Sequence, residues 1–178
     1  MNHSDHVRLL RPAALAPGGN WADLGAGTGA FTLALRELLG KEAEIHAVDK
    51  DRASLETLIQ RYRARFGNAE GLDLLQADFS TALQLPPLDG ALMANSLHFF
   101  KDKESVLRSV REMLKPAACL LLVEYNVDRG NPWVPYPLSF HTYQGLAVRA
   151  GFAEPRLLAM LPSSFLREFY SAAAVRAG

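Results

Sequence analysis

Short apolar runs alternate along the chain with stretches whose apolar residues recur at helical spacing. Trp21 to Leu24 reads as a short strand running into a glycine-rich loop. Phe31 to Leu39 puts Phe31, Leu35 and Leu38 on one face and predicts a helix stopped by Gly40. A strand over Glu44 to Val48 ends at Asp49. A helix over Ala53 to Phe66, carrying Leu55, Leu58, Ile59 and Tyr62, stops at Gly67. Leu72 to Gln76 and Ala91 to Asn95 read as the third and fourth strands. Asp102 suits the N-cap of a helix reaching Leu114 and closed by Pro116. Cys119 to Tyr125 is a nearly continuous apolar run, as in the buried centre of a parallel sheet. Leu138 to Ala150 predicts a last helix, and Pro155 to Leu161 with Glu168 to Val175 an antiparallel hairpin.

Strands alternating with helices imply a mostly parallel α/β sheet covered on both faces; the hairpin brings it to seven strands. We expect a single domain over residues 20–178, preceded by a leader over residues 1–19. The leader is either a lid carrying Asp5, His6 and Arg8 or an amphipathic helix packed on the sheet. Ligands of such sheets sit beyond the carboxyl ends of the strands. The positions to read are therefore Gly25 to Gly29, Asp49, Asp78, Asn95 to His98 and Glu124 to Tyr136.

Composition narrows the classes. The chain has 178 residues, enough to bury roughly 70% of its unfolded surface. Lys plus Arg and Asp plus Glu both number 19, so net charge is zero, with no footprint for nucleic acid or an anionic membrane. The basic cluster Arg61 to Arg65 ends a helix, where positive charge suits the helix dipole. The lone Cys119 gives no disulfide framework and no thiolate metal site, and we expect no metal. No apolar run approaches the ~18 residues of a membrane helix, and the N-terminus lacks a signal peptide. The expectation is a reduced, cytoplasmic protein.

The chemistry concentrates in Trp21 to Phe31, where Gly25, Gly27 and Gly29 alternate. The loop matches a dinucleotide fingerprint, and it equally matches the loop of a methyl donor. Charge separates the two. If Asp23 faces the ligand it opposes a pyrophosphate, at a cost of about 4 kcal/mol for unit charges ~4 Å apart at an effective dielectric of ~20. The ammonium and sulfonium of S-adenosylmethionine would instead be attracted. Asp49, 24 residues past Gly25, suits ribose hydroxyls in either reading. Asp78 beside Phe79 suits an adenine amine and ring, which the dinucleotide reading does not require.

Asp23-Leu24-Gly25-Ala26-Gly27-Thr28-Gly29, Ala47-Val48-Asp49, Gln76-Ala77-Asp78-Phe79 and Ala94-Asn95-Ser96-Leu97-His98 resemble the successive motifs of the class I S-adenosylmethionine-dependent methyltransferases, over about Trp21 to Tyr125. The resemblance implies a Rossmann-like fold and S-adenosylmethionine as cofactor, with S-adenosylhomocysteine as product. It implies cofactor contacts from Asp23, Gly25, Ala26, Gly27, Asp49, Lys50, Asp78, Phe79 and Asn95. Asp23 would hold the amino group, Asp49 the ribose, and Asp78 and Phe79 the adenine.

After the fourth strand the chain reads Asn95-Ser96-Leu97-His98-Phe99-Phe100, without the prolines of the [DN]-P-P-[FY] turn found in enzymes that methylate nucleobase amines or glutamine amides. The pattern looks more like the small-molecule members. Positioning an acceptor in line with a sulfonium methyl supplies roughly 7–11 kcal/mol, so a strong catalytic residue is not required. For a hydroxyl acceptor a base adds about 10²–10⁴-fold. His98 is the leading base candidate; His141 and the more remote His6 follow. Glu124 to Pro137 leaves the fifth strand at the ligand edge with three prolines and several aromatics. We expect it to wall the acceptor pocket together with His98, through Tyr125, Trp133 and Tyr136, with Arg129 available for an anionic group. The receiving atom stays open among oxygen, nitrogen, carbon and sulfur. A nicotinamide oxidoreductase, a non-catalytic cofactor binder, and a protein or RNA methyltransferase are the rival readings.

Overall fold

The computed structural model of the protein describes all 178 residues. In chain order the elements are α1 (His3–Leu10), β1 (Gly19–Leu24), α2 (Ala30–Leu39), β2 (Ala43–Asp49), α3 (Arg52–Phe66), β3 (Leu72–Gln76), β4 (Leu88–Ala94), α4 (Lys103–Met113), β5 (Leu114–Tyr125), α5 (Phe140–Arg149), β6 (Arg156–Pro162) and β7 (Glu168–Val175). One seven-stranded sheet runs β3-β2-β1-β4-β5-β7-β6. β1 to β5 pair in parallel, and β7 lies antiparallel between β5 and β6.

Strand periodicity sorts the core. Leu120 and Leu122 join Ala22, Leu24, Ala91 and Met93 beneath α4 and α5. Leu121 and Val123 point the other way, with Trp21, Ile45 and Leu92, beneath α1 and α2. α3 covers the same face through Leu55, Leu58 and Tyr62, packed against Ala47. Helices therefore lie on both faces. The change of crossover direction between β1 and β4 opens a crevice at the carboxyl edge.

Four strands begin earlier than their apolar patterns suggest, β1 at Gly19 and β2 at Ala43 by one or two residues and β4 and β5 by more, and α4 ends at Met113, so that Pro116 lies within β5 and does not close the helix. β4 starts at Leu88, not Ala91, because Leu88 is buried and pairs with Leu114. That pairing carries β5 back from Cys119 to Leu114, through an irregular stretch in which Ala117 adopts φ 61°. The last helix is shorter than expected: Ser139 caps it, and its side chain accepts from Thr142 N.

The leader is ordered. Asn2 caps α1, its side chain accepting from Asp5 N while Asp5 accepts from Asn2 N. Val7, Leu9 and Leu10 are buried against α2 and β6, and Leu9 O accepts from the buried Ser171 hydroxyl at 2.6 Å. The His6 ring lies 4.6 Å from Phe31. No helix is long and apolar enough to cross a membrane.

Candidate active site

A cavity of about 390 Å³ opens at the carboxyl edge, lined by Gly25, Asp49, Lys50, Ala77, Asp78, Phe79, Asn95, Ser96, Phe99 and Phe100. Six of these were expected from the sequence. Ala77, Ser96, Phe99 and Phe100 are additions, each within two positions of an expected residue and within reach of the same motifs.

Gly25 has φ +83°, and a Cβ there would stand 2.5 Å from Ser96 Cβ and 3.3 Å from Phe79 Cε1, so only glycine fits. Gly25 N and Ala26 N both donate to Val48 O, at 2.8 and 3.0 Å, which seats the loop on β2. The Asp49 carboxylate spans the mouth. Oδ2 accepts from Gly27 N at 2.7 Å and Oδ1 from Asp51 N at 2.9 Å. Arg61 Nη1 donates to Thr28 O and Oγ1 at 3.1 and 3.0 Å, so this member of the basic cluster clamps the loop to α3 besides facing the helix dipole.

Asp78 Oδ1 accepts from Ser80 N and Oγ, at 2.9 and 2.6 Å, and these bonds hold its carboxyl below the usual range. Phe79 is buried and meets Phe100 edge-on at 5.1 Å. Asn95 adopts φ +53°, and its side-chain Oδ1 is buried with no partner in the protein.

Three expected cofactor residues do not line the cavity. Asp23 alternates onto the α2 face of β1. There it is 1% exposed and accepts from the Thr32 hydroxyl at 2.6 Å, leaving Oδ1 without a protein partner. Burial, reinforced by the Asp49 charge and opposed by the Thr32 bond, pushes its carboxyl up to about 7. Ala26 packs into the core beside Leu33 and Ala47. Gly27 adopts φ +52° with open space where a Cβ would stand.

Beside the cavity lies a second polar centre. Glu124, at the end of β5, is fully buried. Its Oε1 accepts from His98 N at 3.1 Å, and its Oε2 lies 2.8 Å from His98 Nδ1. The His98 ring is 4.3 Å from Phe99 and 6.4 Å from Tyr125. Lys103, also buried, donates to Phe100 O at 2.8 Å and stands 5.6 Å over the Tyr136 ring. Burial lowers its pKa and the Glu124 charge opposes that shift. Tyr136 N donates to His98 O at 3.0 Å. Trp133 is 72% exposed and meets Phe165 at 6.5 Å. Arg129 lies apart, in a shallow depression with Asp128, Ser139 and Arg167. His141 is exposed at the start of α5.

The methyltransferase domain family matches residues 22–120. A ubiquinone/menaquinone biosynthesis C-methyltransferase of Shewanella frigidimarina is 29% identical over 122 residues, 67% of this chain and 48% of that protein. Its counterpart from Shewanella sp. strain ANA-3 is 31% identical over 112 residues, 62% of this chain and 44% of that protein. The chain thus spans about half the length of these relatives. Among solved structures, a Haemonchus contortus phosphoethanolamine N-methyltransferase bound to S-adenosylhomocysteine superposes with TM-score 0.78 at 15% identity, covering 98% of this chain and 53% of that one. An arsenic(III) S-adenosylmethionine methyltransferase from Chlamydomonas reinhardtii gives 0.73 at 21% identity, covering 93% and 65%.

Proposed function

The chain belongs to the methyltransferase domain family, and from that premise we propose that it transfers a methyl group from S-adenosylmethionine to a small-molecule acceptor. The observation that carries the cofactor assignment is the bond from Gly27 N to Asp49 Oδ2. A dinucleotide needs the amides of this loop free for its pyrophosphate. Here a carboxylate already holds one, and Asp49 with Asp78 outnumbers Lys50 among the charged groups lining the cavity, so the cavity favours a ligand with hydroxyls, an amine and positive charge.

The residues present fit that cofactor. The open lone pairs of Asp49 suit ribose hydroxyls, and the free Oδ2 of Asp78 suits an exocyclic amine. Phe79 and Phe100 offer ring faces, and the orphaned Asn95 Oδ1 waits for a donor. When bound, the cofactor supplies a methyl on a cationic sulfur, already activated for displacement. The protein's task is to hold the acceptor in line and away from water. Phe99, Phe100 and Tyr125 supply an apolar surround for that purpose. The relatives are named as C-methyltransferases of ubiquinone/menaquinone biosynthesis; we carry over a small-molecule acceptor.

Calorimetric titration with S-adenosylmethionine and S-adenosylhomocysteine, with NAD as control, tests this reading. Binding of both sulfur ligands, abolished or much weakened in Asp49→Ala, is the expected result. Binding of NAD alone would return the loop to the oxidoreductase reading.

A further inference from the structure

We propose that the acceptor carries an anionic group, a carboxylate or a phosphate, and that Arg129 and Arg167 hold it in the depression between the segment after β5 and the turn joining β6 to β7. The inference rests on the methyltransferase reading above and names the acceptor class for the same end of the sheet.

The depression encloses about 640 Å³ and shares no lining residue with the cofactor cavity. Val127, Leu166 and the half-exposed Phe165 give it apolar surface. Arg129 and Arg167 line it from two different segments. Neither guanidinium makes a hydrogen bond or ion pair within the protein, whereas most arginines of the chain do. The acids nearby are committed. Asp128, which also lines the depression, accepts from Ser139 N at 2.8 Å through Oδ1. Glu168, outside the lining, accepts from Asn126 Nδ2 at 2.9 Å through Oε1. Two unpaired cations therefore face one hydrogen-bonded carboxylate, and a single anionic group balances the excess. A guanidinium fork matches the paired oxygens of a carboxylate or a phosphate.

The second observation is that the walls are fixed without a ligand. Asn126 N donates to Glu168 O at 2.9 Å and ties the segment after β5 to the start of β7. Asn126 Oδ1 accepts from Phe140 N at 2.9 Å and ties the same segment to α5. Ser163 N donates to Arg167 O at 2.8 Å and closes the turn. Arg167 adopts φ +47°, where glycine or asparagine sits more easily, so the turn carries a long cation at a conformational cost. A backbone held this way has little freedom left to lose on binding.

Position connects the depression to the reaction. Asn126 follows β5 and Arg167 precedes β7, while β4, whose end leads to Asn95 in the cofactor cavity, flanks β5 on its other side. At ~4.8 Å per strand, β4 and β7 lie roughly 10 Å apart. An acceptor with its anionic group in the depression and its reacting atom at the cofactor has about that length, with an apolar body between the two.

The test uses 4-phenylbutanoate and 3-phenylpropyl phosphate, with 4-phenylbutanamide as the neutral control. Each is titrated by calorimetry, at low salt, into protein saturated with S-adenosylhomocysteine. The better of the two anions should bind roughly 10–100-fold more tightly than the amide, and it names the group. Arg129→Gln and Arg167→Gln should each weaken that binding about tenfold. S-adenosylhomocysteine affinity and thermal midpoint should not change, because both side chains are exposed. Equal affinity for the amide, undiminished anion binding in the variant with both substitutions, or no anion binding while S-adenosylhomocysteine still binds would each overturn the proposal. Failure to bind S-adenosylhomocysteine would instead remove the parent reading.

A second measurement separates an acceptor from a ligand held elsewhere on the edge. In the ternary complex, interligand nuclear Overhauser effects should connect the phenyl protons of the bound anion to the homocysteine methylenes of S-adenosylhomocysteine. Arg167→Gln should remove them. A bound anion whose phenyl protons show no such contact would mean that the depression serves something other than the acceptor, and would also overturn the assignment.

Discussion

The two sides of the cleft are built by different means. On the side of β1, β2 and β3 the contacts come from tight turns and the main chain. Gly25 and Ala26 amides are tied to Val48, Gly27 to Asp49, and Thr28 to Arg61. On the side of β4, β5 and the segment after β5, they come from side chains: a row of rings and one buried histidine–glutamate pair. A main-chain site admits little editing short of replacing a glycine. A side-chain site changes its ligand without moving the backbone. The first arrangement suits a cofactor of fixed shape, the second an acceptor that differs from one enzyme to another.

That contrast can be broken from either side, and the largest effect should come from Gly25→Ala. The new Cβ meets Ser96 at 2.5 Å on a φ of +83°. The expected cost is about 2–4 kcal/mol of stability by urea denaturation, together with loss of measurable S-adenosylhomocysteine binding.

Asp23 should show itself through pH. Its carboxyl is pushed up to about 7, so between roughly pH 4 and pH 7 the folded chain keeps a proton that the unfolded chain has lost. Stability should therefore fall as pH rises through that window, by up to about 4 kcal/mol. Asp23→Asn should flatten the dependence, as read from urea midpoints at pH 5 and pH 8.

Asp49→Ala comes next. Losing charge-assisted bonds of about 1.5–3 kcal/mol should weaken S-adenosylhomocysteine binding roughly 10–100-fold by calorimetry. It also frees Gly27 N, so any gain in NAD binding would sharpen the charge argument.

Trp133→Ala should do least to the fold. Trp133 is 72% exposed, and stability should stay within about 0.5 kcal/mol of wild type. Affinity for S-adenosylhomocysteine should hold while acceptor KM rises. A matching loss of thermal stability and of both binding functions would mean that Trp133 staples its loop to the core.

The donor side was largely legible in the sequence because each motif is local. A strand, a glycine turn and an acid follow one another within a few residues, and Gly25, Asp49, Lys50, Asp78, Phe79 and Asn95 meet in one cavity as that order implies. Asp23 shows the limit of such reading. Its place in the motif marks it for the ligand, yet the two-residue period of β1 turns it onto α2 and the Thr32 hydroxyl. Arg36 is a second case. Helical spacing gives it no role, but the structure buries it and satisfies it with the carbonyls of Gly40, Ala43, Glu70 and Gly71 and the Tyr62 hydroxyl. On the acceptor side, Glu124 and His98 stand 26 residues apart on different elements, and Phe165 arrives from the turn between β6 and β7. Those encounters depend on the strand order, which no local pattern encodes.

The bond from Ser171 to Leu9 spans 162 residues. During synthesis at ~5–20 residues per second, about 8–32 s separate the emergence of its two ends. For that interval the apolar face of α1 lacks the β6–β7 hairpin, and the edge of β5 lacks β7. The nascent chain thus carries its cofactor loop early and its sheet edge open until late. Its exposure to chaperones and to misassembly follows from how late β7 is made relative to β5, not from the site it serves.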